Sequence, residues 1–418
     1  MQNQKPRVLF FAPILEYPPR GGPQLSVINA IKVLSALSDL TVMTSVPSAQ
    51  LEKTAVMPFL EQREVKLFFA PSSRMHIGSE PASRLLRWAK RLFAPLLGAL
   101  DARAYRKLGK KQSTDIYWID RVIEHAYYVF KSFRALDAGA ALVGDTEAVY
   151  SRFVLRELPY ICNPIRRIWV TYLGARKKKQ EECMVQSASA VTAVSDIDVE
   201  YFQSISSDPS RIKLFSNVID LDDYKLNGEN NDKTQAKLIV LPGSYGQVNS
   251  PMDRAAKWMV EDIMPLVWQS VPDATLLIIG RNADKTQSER KTSKIEVVGA
   301  VDFMQPYLER ASLLVVPLRH ESGTRFKIVE GGAAGLPCVS TSLGAEGLEV
   351  EHGKNILIAD DPEGFAQAVI DVLSDSRLAE SLGSELTALI QSNYSIDTQT
   401  KQGKAIIDFL TNRRITNG

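Results

Sequence analysis

The chain is poor in the residues on which many reaction types depend. Three cysteines, Cys162, Cys183 and Cys338, stand far apart in 418 residues, and no CxxC pair occurs. An odd, scattered set excludes a disulfide framework or a cysteine-built zinc site and fits a reducing compartment. The four histidines are scattered as well. No run of 18 or more apolar residues exists, which excludes a membrane-spanning helix. The opening MQNQKPRVLFFAP has too short an apolar run for a secretory leader and reads as a polar lead into a first strand. An excess of one charge is missing too: 50 Lys and Arg stand against 48 Asp and Glu, for a net charge of +2. Nucleic-acid-binding domains are usually strongly basic, so no nucleic acid is expected as a partner. GxGxxG and GxxxxGK[ST] are absent, which removes support for a dinucleotide cofactor or an ATP P-loop.

What the chain does have is alternation. At 418 residues it exceeds the span of one hydrophobic core, so two domains are expected. Apolar content of 45% and charged content of 23% are those of an ordinary globular protein. Short apolar runs alternate with longer helical stretches: RVLFFAP (7–13), LTVMTS (40–45), VKLFFAP (65–71), DIYWID (115–120), ALVGD (141–145), AVTAVS (190–195) and IKLFSN (212–217). Each reads as a strand buried on both faces. The polar LNGENNDKTQAK (226–237) reads as a linker or exposed loop. A second series follows: KLIVLPG (237–243), TLLIIG (275–280), IEVVG (295–299), LLVVPL (313–318), PCVST (337–341) and NILIA (355–359). Strand, helix, strand in succession predicts parallel sheets with right-handed crossovers.

The fold expected is therefore α/β, with two doubly wound, Rossmann-like domains facing each other across a cleft. Residues 1–217 form the first and 218–395 the second. The amphipathic end, 396–418, is expected to pack back on the first. In open parallel sheets ligands bind beyond the carboxyl ends of the strands, and domain interfaces are preferred ligand sites. Both rules put the site in the same place.

Each domain opens with a strand and a glycine turn. In YPPRGGPQLSVINA (17–30), Gly21 and Gly22 let backbone N–H groups approach a ligand, and the following helix N-terminus favours an anion. A plain strand-to-helix turn would look the same. In LPGSYGQVNSPMDRAAKWM (241–259), Gly243 and Gly246 sit at the strand end, Asn249 or Ser250 can cap a helix, and Pro251 suits its first position.

The stretch HESGTRFKIVEGGAAGLP (320–337) is the least ordinary. Ser322 or Thr324 is the expected N-cap of a helix over roughly 324–335. At about 100° per residue, Phe326, Val329, Ala333 and Leu336 form the core face. Gly323, Lys327, Glu330 and Ala334 form a stripe beside it, with Arg325 on the opposite flank. Lys327 and Glu330 could be a surface i,i+3 pair worth a few tenths of a kcal/mol. Their place at a strand's carboxyl end argues for a site. Gly331 and Gly332 each cost on the order of 1 kcal/mol inside a helix. Something must approach closely there, either a ligand or a crossing helix.

HESGTRFKIVEGGAAGLPCVSTSLGAEGL resembles the nucleotide-binding motif of family 4 retaining glycosyltransferases of the GT-B fold. GRNADK (281–286), VVGAVDFMQPYLERASLLVVPL (297–318), VSDIDVEYF (194–202) and FSNVIDLDDY (215–224) are similar to further landmarks of that family, and so is the DTE segment (145–147). The resemblance implies a transferase moving a sugar from a nucleotide-diphosphate donor to a lipid-linked or polysaccharide acceptor. Retention of configuration, no cofactor and no metal are implied with it. Glu330 matches the glutamate that usually holds the donor ribose. Ser322 stands where that motif carries its first acid, and the basic pair after the first strand of the second domain falls near Ser244 and Asn249, which are neutral. Lys327 and Arg325, with backbone N–H groups, are then left to neutralise the diphosphate. Gly21, Gly22, Gly243, Ser244, Arg281, Ser322, Gly323, Thr324 and Glu330 are the expected donor-binding set, and Lys327, Arg325 and Asp120 the expected catalytic set. Asp120, at a strand end, and His125 are candidates on the acceptor side.

Residues 74–111 hold ten Lys or Arg against two acids, Glu80 and Asp101. Arg84, Arg87 and Arg91 at helical spacing, with Leu85, Trp88 and Leu92 between, suit a helix at an anionic membrane surface. A solvated face packed on the first sheet fits equally. The membrane reading makes 84–111 a peripheral contact of a cytoplasmic protein at the inner face. Two further functions stay open at this point: a nucleotide-sugar epimerase, and a glycosyltransferase-like binding protein without catalysis.

Overall fold

The computed structural model describes residues 5–74, 84–122, 124–133, 139–224, 237–246, 248–320 and 326–417. All thirteen apolar runs contain a strand. The first seven are β1 (Arg7–Ala12), β2 (Asp39–Thr44), β3 (Lys66–Phe69), β4 (Ile116–Ile119), β5 (Ala141–Asp145), β6 (Ala190–Ala193) and β7 (Ile212–Leu214). They form one parallel sheet in the order β3-β2-β1-β4-β5-β6-β7. The next six are β8 (Leu238–Pro242), β9 (Thr275–Ile279), β10 (Ile295–Val298), β11 (Leu313–Val316), β12 (Cys338–Ser340) and β13 (Leu357–Ile358). They form a second parallel sheet in the order β10-β9-β8-β11-β12-β13. Both are doubly wound α/β sheets, and each reverses direction at its opening strand. The switch points fall between β1 and β4 and between β8 and β11, where an α/β sheet leaves a crevice at its strand ends.

The helices that bear on the site are α1 (Gly22–Leu37), α2 (Arg84–Gln112), α3 (Glu124–Phe133), α4 (Tyr150–Leu155), α5 (Pro164–Ser187), α6 (Pro251–Trp258), α7 (Phe326–Ala333), α8 (Ser376–Asn393) and α9 (Ile396–Asn417). The central strands are buried throughout, as β4, β5, β8 and β11 show. The expectation of two buried faces fails at the edges: β3 is mostly exposed and β10 only partly covered. An edge strand has a neighbour on one side only, so its apolar run carries less covering structure.

The chain divides into two compact units. One comprises 1–19, 23–216 and 399–418, and the other 20–22 and 217–398. The final helix is tied to the first unit by polar bonds. Gln402 Oε1 accepts from the Ser216 N–H at 2.8 Å, and Gln399 Nε2 donates to the Ser216 carbonyl at 2.8 Å. A Cβ at Gly403 would lie 3.0 Å from Val33 Cγ1, so α9 packs tightly against α1. Residues 226–236 of the expected linker 226–237 lie outside the described residues. Among the described residues no helix is long and apolar enough to cross a membrane.

Candidate functional site

In the second unit the chain leaves β8 through Pro242 and turns at Gly243. Ser250 caps α6, accepting from the Asp253 N–H at 3.3 Å, with Pro251 in the first turn. Of the two possible caps, Ser250 is the one used. Asn249 instead takes a left-handed conformation (φ 65°) just before it. The turn is locked to its neighbour. The Gly243 N–H donates to the Ile279 carbonyl at 2.9 Å, and the Tyr245 N–H donates to the Arg281 carbonyl at 2.8 Å. The approach demands glycine at 280, which adopts φ 134° and where a Cβ would come within 1.9 Å of the Gly243 carbonyl oxygen. Gly280 therefore serves a close contact between two backbone turns. The Gly243 N–H is already committed within the protein. Arg281 is partly buried at the end of that contact, and Ser244 is exposed.

On the other side of the switch point, β11 leads to α7. Ser322, Gly323, Thr324 and Arg325 lie outside the described residues. Within α7, Phe326, Ile328, Val329, Gly331 and Gly332 are all buried. The helix is covered over a wider arc than the four-residue core face expected from the sequence, because it is wedged between the sheet and α8. That wedge also accounts for its glycines. A Cβ at position 331 would meet Leu314 Cδ1 of β11 at 3.0 Å. One at 332 would meet Ile390 Cγ1 at 2.7 Å and Leu386 Cγ at 2.8 Å, both on α8. Thr387 Oγ1 clamps the same turn by donating to the Gly332 carbonyl at 2.6 Å. The close approach is thus a helix crossing, the plainer of the two alternatives.

Lys327 and Glu330 are the two polar side chains that α7 presents, and both are partly buried. Lys327 Nζ lies 3.1 Å from Met252 Sδ, in the first turn of α6. Met252 in turn packs over Gly243, where a Cβ would meet its Cε at 2.4 Å. The structure therefore brings Lys327 to the glycine turn after β8. Glu330 faces another partner: the Tyr224 hydroxyl donates to its Oε1 at 2.6 Å. Burial raises the Glu330 carboxyl above its ordinary range, against the Tyr224 hydrogen bond and the Lys327 charge. Burial and the Glu330 charge push the Tyr224 hydroxyl well above the usual phenol range. Nothing in the spacing of the sequence singled out Tyr224, because its contact with Glu330 is made across the fold.

Gly21, at φ 155°, immediately precedes α1, and Gly22 is the first residue of that helix. Asp120 follows β4 and is 5% exposed. Its N–H continues the sheet, donating to the Phe11 carbonyl at 3.1 Å. Its Oδ2 has no hydrogen-bond partner among the described residues. Burial lifts its carboxyl well above the normal range, and the neighbouring Asp145 charge adds to this. Asp145 ends β5, with Trp118 Nε1 donating to its Oδ2 at 2.7 Å and the Thr192 hydroxyl donating to its other oxygen. Burial still raises Asp145, to about 6. Arg121, buried and left-handed at φ 52°, pairs with Glu147, which also accepts from the Tyr150 hydroxyl at 2.8 Å. His125 faces the fully buried Asp101 at 2.6 Å. Ser72 holds that carboxylate with its N–H at 2.9 Å and its hydroxyl at 2.5 Å. The sequence pointed to Asp120 and His125 alone. The surrounding charges were detectable only as the strand-end acid of ALVGD and the DTE segment.

Residues 239–375, within the second unit, match the family model of glycosyl transferases group 1. The chain is 25% identical over 147 residues to an uncharacterized 44.6 kDa protein in the cps region of Klebsiella pneumoniae, covering 33% of this chain and 38% of that protein. It is 32% identical over 82 residues to 2-deoxystreptamine N-acetyl-D-glucosaminyltransferase of Niallia circulans, covering 19% of this chain and 21% of that enzyme. The chain thus spans well under half the length of these curated relatives. Among solved structures, TarM superposes with a TM-score of 0.71 at 12% identity, over 97% of this chain and 99% of that one. Anabaena Alr3699/HepE in complex with UDP and glucose superposes with a TM-score of 0.61 at 14% identity, over 96% and 99%. At such identities the likeness is one of fold, and the fold is GT-B.

Proposed function

We propose that the chain is a glycosyltransferase that moves a sugar from a nucleotide-diphosphate donor to a lipid-linked or polysaccharide acceptor, with retention of configuration. The observation that carries this reading is the convergence on one switch point of Lys327, the glycine turn after β8 and Glu330. The group 1 match over the same residues supports it, and so does the UDP and glucose held by HepE.

In this reading Glu330, with Oε1 engaged by Tyr224, offers Oε2 to the ribose hydroxyls. Lys327 and Arg325 stabilise the charge that grows on the leaving diphosphate. Fixed cations do this without reorganising during the reaction, and they stand where another enzyme would use a metal. The bond from the anomeric carbon to the diphosphate breaks as the acceptor oxygen bonds to that carbon, and the acceptor proton leaves with the diphosphate. Asp120 and the first unit bind the acceptor. The protein is expected to work in the cytoplasm.

The test is incubation with a panel of nucleotide sugars, with and without chelator, followed by assay of free nucleotide diphosphate. Release from one donor class, insensitive to chelator, is expected. A panel that is neither turned over nor bound overturns the proposal. Binding without turnover would identify a non-catalytic nucleotide-sugar protein instead.

A further inference from the structure

The first half of α5 carries an apolar stripe that stays exposed among the described residues. Ile165 is 78% exposed, Ile168 72%, Trp169 54% and Tyr172 57%. Their i, i+3, i+4, i+7 spacing, at about 100° per residue, places all four within an arc of about 100°. The residues by which α5 packs, Val170, Gly174, Glu181, Met184 and Val185, fall on the opposite side. A stripe turned directly away from the protein's own core does not contribute to folding. Asn163 caps this helix, accepting from the Arg166 N–H at 3.1 Å, so the stripe sits on a fixed helical surface.

Charge identifies what covers it. From 164 to 180 the chain holds six basic residues (Arg166, Arg167, Arg176, Lys177, Lys178 and Lys179) and no acid. Arg176 and Lys179 continue the apolar arc itself, one and two turns further on. The first acid, Glu181, is buried and taken up by the Ser151 N–H at 2.8 Å. Trp169 and Tyr172 stack at 5.7 Å between ring centroids, and such rings suit the boundary between water and acyl chains. An isologous contact with a second copy would set this basic patch against itself. The stripe also has a neighbour of the same character. The Arg176 guanidinium donates to the Tyr128 hydroxyl of α3 at 3.0 Å, and Tyr128 packs on Gly98 of α2. Within the two turns before Gly98, α2 exposes Leu92, Phe93 and Leu96.

We propose that the outward face of α5, with that stretch of α2 beside it, docks the protein on an anionic lipid surface. The apolar stripe enters the headgroup boundary and the basic residues engage lipid phosphates. The sequence pointed to α2; the structure adds α5, whose Ile165 and Ile168 are more exposed than Leu92, Phe93 and Leu96. The proposal does not rest on sugar transfer, because it is read without donor or acceptor.

The test is flotation of the full chain with vesicles of phosphatidylcholine, with and without phosphatidylglycerol. Binding to the anionic vesicles alone is expected, weakening as salt rises. Ile168→Ser/Trp169→Ser and, separately, Lys178→Glu/Lys179→Glu should each weaken it tenfold or more. The substituted side chains are exposed, and circular dichroism and thermal melting should match the parent. Quenching of tryptophan by brominated lipid should fall in the Trp169 variant. Failure of the parent chain to bind anionic vesicles overturns the proposal, as does equal binding by both variants. So does a parent dimer that the Trp169 variant converts to monomer without any vesicle binding.

Discussion

The Tyr224 hydroxyl donates to Glu330 Oε1 across 2.6 Å, and so fixes one of the two oxygens of the carboxylate proposed to hold the donor ribose. A phenylalanine at 224 would fill the same space and leave that oxygen without its donor. A hydrogen bond to a charged group is worth about 1.5–3 kcal/mol. Tyr224→Phe should therefore weaken nucleoside diphosphate binding roughly tenfold or more, measured by calorimetry. Because the bond holds the Glu330 carboxyl down, its loss should raise that group further. Binding by the variant should then fail at a higher pH than in the parent as the solution is acidified.

Lys327 is held at the glycine turn, while the helical spacing of the sequence assigns Arg325 to the other flank. Lys327→Ala should lower the rate of transfer by about a hundredfold, the usual effect of removing one charge-stabilising group. Arg325→Ala should cost clearly less. Equal, small losses in steady-state rate would remove Lys327 from the chemistry.

Gly332→Ala should destabilise the second unit without touching the site. The added methyl meets Ile390 and Leu386 at under 3 Å, and overpacking of this kind costs about 1–3 kcal/mol. The melting temperature should fall, while nucleotide affinity in the surviving folded protein stays near the parent value. A loss of affinity at unchanged stability would instead mean that a ligand lies against this glycine.

Asp145 should make the protein less stable as pH rises through the acid range. Its folded pKa, about 6, exceeds the ordinary aspartate value of 3.8. Between these limits the folded state holds more proton than the unfolded one, so stability falls with rising pH. The gap of about two pH units is worth at most about 3 kcal/mol. Denaturant unfolding from pH 4 to 7 should show that slope, and Asp145→Asn should flatten it. An unchanged slope in the variant would assign it to another group.

The strands were legible because their pattern is local: a run such as LLVV at β11 is apolar whatever surrounds it. The run at 66–69 looked the same and became an exposed edge, since which strand lies outermost is a property of the whole sheet. Lys327 and Glu330 could be placed on one stripe by helical spacing alone. Gly331 and Gly332 could not be assigned to a cause, because their neighbours, Leu314 and Ile390, arrive from elsewhere in the chain. The same holds for Tyr224, and for Trp169, whose exposure depends on which side of α5 the core takes.

The bonds from Gln399 and Gln402 to Ser216 make the first unit discontinuous in the chain. Its last helix is synthesised only after the whole of the second unit. A growing chain therefore cannot close its first unit in passing, and must carry it unfinished until the end. Cleavage anywhere between 217 and 398 would leave both halves of that unit present but no longer joined.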